Sequence, residues 1–236
     1  MYSELFRPEH LDEIAGHDEA KLELRKYLDS NTFSNSIMLV GPPGIGKTTL
    51  ALCAAKTMGF EPLEINASRS IRTYEDVEKL RDACRANISI YSLLCGSARK
   101  MCLILDEIDG SDPHAQNKVV EWIRDHERTI PIICTGNDLP SIFKKNSKII
   151  SILRIFPPKS EDIQELFEEN IDDIVVECNH DIRRIMNRVQ YGKSYQIPKY
   201  ILPSTGLEVE KSFLIRQKMF QIPDPLHEYL GDKPDI

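Results

Sequence analysis

What the chain is short of narrows it first. No apolar run approaches the ~18 residues that a membrane-spanning helix needs. The amino terminus, Met1-Tyr-Ser-Glu-Leu-Phe-Arg7, has neither the basic start nor the apolar stretch of a secretory signal. These absences lead us to expect a soluble intracellular protein with no membrane contact. The six cysteines, at 53, 84, 95, 102, 134 and 178, include no CxxC pair and no regular framework. Most sit in apolar stretches, so buried free thiols are expected in place of disulfides or a zinc site. The histidines, including His17 and His114, have no ligand-type spacing and read as surface or turn residues. Positive charge is lacking too. With a formal net charge of −7, any nucleic-acid contact must come from a local patch or from partner subunits. There is no internal repeat and no low-complexity run.

What is present suits one large α/β domain with a smaller appendage: 236 residues, 41% of them hydrophobic. Short apolar runs alternate with amphipathic segments, the pattern of a parallel sheet covered on both faces. The runs are 36–40, 61–65, 101–106, 131–135 and 148–153, which predicts five strands. Helices are expected at about 18–29, 47–58, 74–86 and 113–126, with Gly59 ending the second. Trp122, beside Val119 and Val120, reads as core. Pro157-Pro158 closes this 1–156 core, and an acid-rich helical stretch fills 157–192. The tail, 193–236, is proline-rich, with one amphipathic helix expected over Glu208–Phe220.

The residues that carry chemistry sit at the strand ends. Gly41-Pro42-Pro43-Gly44-Ile45-Gly46-Lys47-Thr48 matches GxxxxGK[ST] between an apolar strand and a helix. Its glycines let backbone N–H groups turn inward around phosphate oxygens, and the helix N-terminus adds a favourable dipole. Lys47 is placed to bridge the β- and γ-phosphates of ATP, and Thr48 to give a hydroxyl to Mg²⁺. A second apolar strand ends in Asp106-Glu107: Asp106 as the metal's carboxylate, Glu107 as the base that polarises the attacking water. A third carboxylate, Asp109, follows just past the strand. At the tip of the fourth run, Asn137 can hydrogen-bond the γ-phosphate and that water, although Asn-Asp is also ordinary turn chemistry.

In order, Phe6-Arg7-Pro8, Ile14-Ala15-Gly16-His17, the phosphate loop through Thr49, Glu64-Ile-Asn-Ala-Ser68, Asp106–Gly110, Pro131–Asp138 and Asp181-Ile-Arg-Arg184 resemble the clamp-loader branch of AAA+ ATPases. The resemblance covers about 1–192 and is greatest to the large subunit of replication factor C and its alternative-loader relatives, the chromosome transmission fidelity type among them. It implies a five-stranded parallel AAA+ sheet followed by a small helical lid. It implies that Phe6 to Pro8 and Ile14 to Gly16 lie against the adenine, and that Arg183 reaches the phosphates from the lid. An exposed helical arginine would look the same. It further implies ATP and Mg²⁺, small clamp-loader subunits, a sliding clamp and primer–template DNA as partners, and a nuclear location, or a cytoplasmic one for an archaeal or viral chain.

Three departures from that pattern stand out. Ser151-Ile-Leu-Arg-Ile-Phe156 lacks the Ser-Arg-Cys finger of small subunits, as a large subunit does, so ATP hydrolysis should be weak without a neighbour's arginine. The Asn-Ala-Ser-Asp of the family reads Asn66-Ala-Ser-Arg69. The helical stretch is shorter than the usual three-helix lid, and 193–236 stands where a collar domain would begin. Asn87, Ile90, Leu93 and Leu94 have the spacing of a degenerate clamp-binding peptide, and equally of ordinary core packing. Arg69, Arg72, Arg81, Arg85 and Lys118 could track a duplex backbone or form solvated helix faces. Two other functions stay open: a nucleotide-binding interaction module that loads no clamp, and another AAA+ DNA-processing ATPase.

Overall fold

The computed structural model describes residues 7–30, 33–85, 100–125, 128–167 and 170–191. Phe6, the proposed clamp peptide (Asn87, Ile90, Leu93, Leu94) and the 193–236 tail lie outside the described residues. In chain order the elements are α1 (Asp18–Asp29), β1 (Ser36–Val40), α2 (Lys47–Thr57), β2 (Glu61–Asn66), α3 (Ala67–Ser70) and α4 (Tyr74–Cys84). Then follow β3 (Met101–Asp106), α5 (Pro113–Arg124), β4 (Ile132–Gly136), α6 (Ser141–Lys145) and β5 (Ile150–Arg154), and finally α7 (Ser160–Gln164), α8 (Asp172–Glu177) and α9 (Ile182–Tyr191). All five strands are parallel, in the order β2-β3-β4-β1-β5. This is the expected AAA+ sheet.

Local chemistry sets the ends of these elements. Thr73 caps α4, its hydroxyl accepting from the Asp76 N–H while the Asp76 carboxylate accepts from the Thr73 N–H. Asp112 caps α5, with Pro113 at the first helical position where no N–H is needed. Helix α2 closes with the Phe60 N–H on the Ala55 carbonyl and the Gly59 N–H on Lys56, a Schellman pair. Two strands start later than the sequence pattern predicts. Pro131 has no N–H for the ladder and contributes only its carbonyl, to Leu103. Residues 146–149 form a turn, in which Asn146 accepts from Ile149 and Ile150, so β5 begins at Ile150.

Because β side chains alternate, one strand feeds both faces of the sheet. Ile37, Leu39, Ile104 and Ile133 pack against Leu24, Leu28, Leu50 and Ala54 of α1 and α2. Met38, Leu103, Leu105 and Cys134 pack the other way, against Val77, Val119, Trp122 and Phe143. Both faces are therefore dry along the three central strands β3, β4 and β1, while the edge strands β2 and β5 stay partly exposed; each fully buried large side chain contributes about 1.5–3 kcal/mol. Trp122 is core, 4% exposed. The five described cysteines are free and buried. Residues after Pro158 gather around a separate cluster that includes Ile163, Phe167, Ile174, Ile185 and Val189. The acid-rich stretch is three short helices here, α8 and α9 being parted by Asn179 and His180 in left-handed conformation. Among the described residues no helix is long and apolar enough to cross a membrane.

The topology also locates a crevice. From β1 the chain leaves for the far edge of the sheet and returns through β3 and β4 to lie beside it. Ligands of open parallel sheets bind beyond the carboxyl ends of strands at such a reversal. The glycine loop, Asp106-Glu107 and Asn137 all leave strands at that end.

Candidate functional site

The loop after β1 turns through Gly44 and Gly46, at φ +78° and +93°, conformations that cost a side-chain-bearing residue energy. It delivers Lys47 as the first residue of α2, only 8% exposed. The Lys47 ammonium donates to the carbonyls of Gly41 (2.8 Å) and Pro42 (2.7 Å) and to Asn137 Oδ1 (3.0 Å). Burial pulls its pKa below the ordinary lysine value, and the nearby Asp106 and Asp109 carboxylates oppose that pull. Among the described residues no acceptor is paired with the N–H groups of Ile45, Gly46, Lys47 or Thr48. Four free donors and a cation at a helix N-terminus fit a phosphate.

Beside the loop, Thr48 donates to Asp106 Oδ1 at 2.7 Å, and Thr135 donates to the same oxygen. A hydroxyl against a carboxylate is a donor pair of the hard-oxygen kind that Mg²⁺ takes, alongside phosphate oxygens. The Glu107 N–H reaches Thr135 Oγ1 at 3.3 Å, fastening β3 to β4 a second time. Glu107 sits in left-handed conformation, φ +53°. Its carboxylate accepts from Asn66 Nδ2 (2.9 Å) and Ser68 Oγ (3.2 Å). The Asn66 amide, helped by Ser68, Arg69 and Arg183, holds the Glu107 carboxyl below the usual glutamate range.

These groups border one cavity of about 300 Å³. Pro43 through Thr49 line it, with Asp106, Glu107, Asn137 and Arg183. Arg7, Pro8, Ile14 and Ala15 form another part of its wall. Arg7 Nε donates to Thr49 Oγ1 at 3.2 Å, and the Pro8 carbonyl accepts from the Cys53 thiol, so this segment is tied to α2. Gly41, Pro42 and Gly16 stand outside the lining: the first two give carbonyls to Lys47, and Gly16 packs against Asp162. His17 holds the loop from outside, its Nε2 3.0 Å from the Ile45 carbonyl. From the lid, the Ile182 N–H donates to the Gly44 carbonyl at 3.0 Å. Leu166, Ile182 and Met186 complete the lining with Arg183.

Several lining residues were not anticipated from the sequence. Thr135 had a signal, a hydroxyl two places before Asn137. Glu13, Glu64 and the apolar lid residues had none outside the fold.

The five candidate DNA contacts separate. Arg69, Arg72 and Arg85 are exposed, with Arg85 paired to Asp82 one turn back. Arg81 is half-buried and bonded to Asp125. Lys118 requires a correction: at 9% exposure its ammonium is bonded to Glu78 (2.8 Å), Glu121 (3.3 Å) and the Tyr74 hydroxyl. It is a tie between α4 and α5, surrounded by acceptors, and is not available to a phosphate backbone.

The family model described as "ATPase family associated with various cellular activities (AAA)" matches residues 37–156. The chain is 34% identical over 217 residues to the replication factor C large subunit of Sulfolobus acidocaldarius, covering 80% of this chain and 47% of that protein. It is 33% identical over 240 residues to replication factor C subunit 1 of Drosophila melanogaster, covering 88% of this chain and 23% of the relative. The chain thus spans less than half the length of these curated relatives. Among solved structures, the RuvB Holliday junction branch migration motor of Thermotoga maritima aligns with a TM-score of 0.53 at 18% identity, over 78% of this chain and 63% of that one. At that identity the likeness is one of fold.

Proposed function

The chain belongs to the AAA family of ATPases, and from that premise we propose that it binds and hydrolyses ATP as the large-subunit-type component of a sliding-clamp loader in DNA replication or repair. The observation that carries the reading is the convergence of Lys47, Thr48, Asp106, Glu107, Asn137 and Arg183 on one cavity beneath a lid. The adenine lies against Arg7, Pro8, Ile14 and Ala15, and the phosphates lie on the free N–H groups from Ile45 to Thr48. Lys47 exchanges its loop carbonyls for phosphate oxygens, and Thr48 and Asp106 hold Mg²⁺. The metal supplies neutralisation of charge on the β- and γ-phosphates. Glu107 orients and deprotonates water once it leaves Asn66, Asn137 fixes that water and the γ-phosphate, and Arg183 closes from a lid formed by 157–192.

The clamp-loader role draws on the two replication factor C relatives. In this role ATP orders the subunit to grip clamp and primer–template DNA, and hydrolysis releases both. An arginine from a small subunit completes the site, worth about 10³–10⁵ in rate in P-loop enzymes. On this reading a eukaryotic protein of this kind works in the nucleus, and an archaeal or viral one in the cytoplasm. The test mixes the chain with cognate small subunits, clamp and primed DNA. ATPase activity that rises with clamp and DNA is expected. Nucleotide binding without any such rise would overturn the loader role.

A further inference from the structure

We infer that Asp109 is a positioning residue for hydrolysis: its carboxylate fixes the backbone that carries Asn137, and so sets where the Asn137 amide stands. The inference rests on the cavity being an ATP site. Asp109 lies in the 3-10 turn Ile108–Gly110, just past β3. Its Oδ2 accepts two backbone N–H groups, from Asn137 at 3.0 Å and Asp138 at 3.1 Å. Its Oδ1 is buried with no hydrogen-bond partner. That oxygen lies flat against the end of β4, where a Cβ added to Gly136 would stand 2.8 Å from it and 2.8 Å from the Met38 methyl. The last residue of β4 must be bare for the carboxylate to fit.

One line of contact follows: Asp109, the Asn137 backbone, the Asn137 amide, the Lys47 ammonium. Asp109 itself does not line the cavity. Apart from its charge near Lys47, its link to the site runs through Asn137. Among the described residues no other acceptor is paired with the Asn137 and Asp138 N–H groups. An anion accepting two amides makes charge-assisted bonds, stronger than neutral ones. Without them both N–H groups turn to water, and the Asn137 backbone is no longer held against β3. A misplacement of about 1 Å in such a group can slow a reaction on the order of 10²-fold.

The experiment compares ATP affinity, read with a fluorescent ATP analogue, and the hydrolysis rate at saturating ATP–Mg²⁺. The proteins are the unaltered chain, D109A, D109N, N137A and D109A/N137A. We expect D109A to lose at least about tenfold in saturated rate while affinity changes less than about threefold, since the group acts on the reaction and not on binding. D109N keeps an oxygen for both amides and should stay within about threefold of the unaltered rate. The double variant should be no more than about twofold slower than N137A, because residues acting as a unit are not additive. Three results overturn the inference: D109A at the unaltered rate, D109N as slow as D109A, or losses that multiply in the double variant. Should D109A fail to fold, D109S takes its place, its hydroxyl too short to reach both amides. An unaltered chain that binds no ATP overturns the ATP site as well; one that binds and hydrolyses normally, with D109A indifferent, overturns only this inference.

Discussion

Replacing Asn66 by serine should speed ATP hydrolysis by the isolated chain. Asn66 Nδ2 donates to Glu107 Oε2 at 2.9 Å, a bond that Glu107, as the proposed base, gives up to orient water. Serine removes the amide donor. It keeps an oxygen for the Arg69 N–H, the cap of α3 that Asn66 Oδ1 now provides at 3.1 Å. A hydrogen bond to a buried charge contributes roughly 1.5–3 kcal/mol, but Glu107 is exposed, so screening reduces this to about 0.5–1 kcal/mol. At 1.36 kcal/mol per tenfold, the fraction of Glu107 free to act rises about two- to fivefold. Single-turnover hydrolysis at saturating ATP–Mg²⁺ and neutral pH reads that factor directly. The pH profile gives a second reading. Asn66 favours the carboxylate, so without it Glu107 takes up its proton at higher pH, and the acid limb should move toward neutrality. A rate equal to or below that of the unaltered chain, at unchanged affinity, would show that the Asn66 bond does not restrain the base.

Four further outcomes are expected. Glu107→Gln should bind ATP normally and hydrolyse it about 10²–10⁴-fold more slowly, seen by comparing nucleotide binding with phosphate release. Thr48→Ala should raise the Mg²⁺ concentration for half-maximal hydrolysis by roughly tenfold, the loss of one ligand oxygen, while metal-free ATP binding is unchanged. Burial holds the His17 pKa below the ordinary histidine value of 6.5, so the unfolded chain takes up that proton first, and His17 contributes a loss of stability as pH falls below 6.5. His17→Asn, which tolerates the left-handed backbone, should remove that contribution in urea melts from pH 7 to 5. Phe143→Ala, at a side chain with no exposure, should lower unfolding free energy by about 3–5 kcal/mol; a loss under 1 kcal/mol would mean the site collapses around the gap.

Where a residue's role follows from its own neighbours in the chain, the sequence shows it. The loop from Gly41 to Thr48 is legible because only glycine turns there cheaply and because a strand and a helix flank it. Asp106 and Glu107 are legible as charge at the end of an apolar strand. Roles that depend on a distant partner are not. Asn66 meets Glu107 because β2 and β3 pair in a register that sets Asn66 opposite Asp106. Thr135 reaches Asp106 across 29 positions of sequence. Lys118 misleads for the same reason: a cation on a helix looks alike whether phosphate or the Glu78 of another helix faces it. Strand starts slipped where Pro131 and the 146–149 turn interrupt the ladder without interrupting the apolar run.

The single bond between the Ile182 N–H and the Gly44 carbonyl joins the first turn of α9 to the middle of the phosphate loop. Arg183 is the next residue along that helix. A loop that changes shape around phosphates therefore moves the attachment point of the helix carrying the arginine. Further along the same helix, Ile185 and Val189 belong to the third apolar cluster, so α9 links the cradle to that cluster. The phosphate loop and the helical unit thus share one hydrogen bond and one rigid helix, so neither can shift without breaking that bond or carrying the other along.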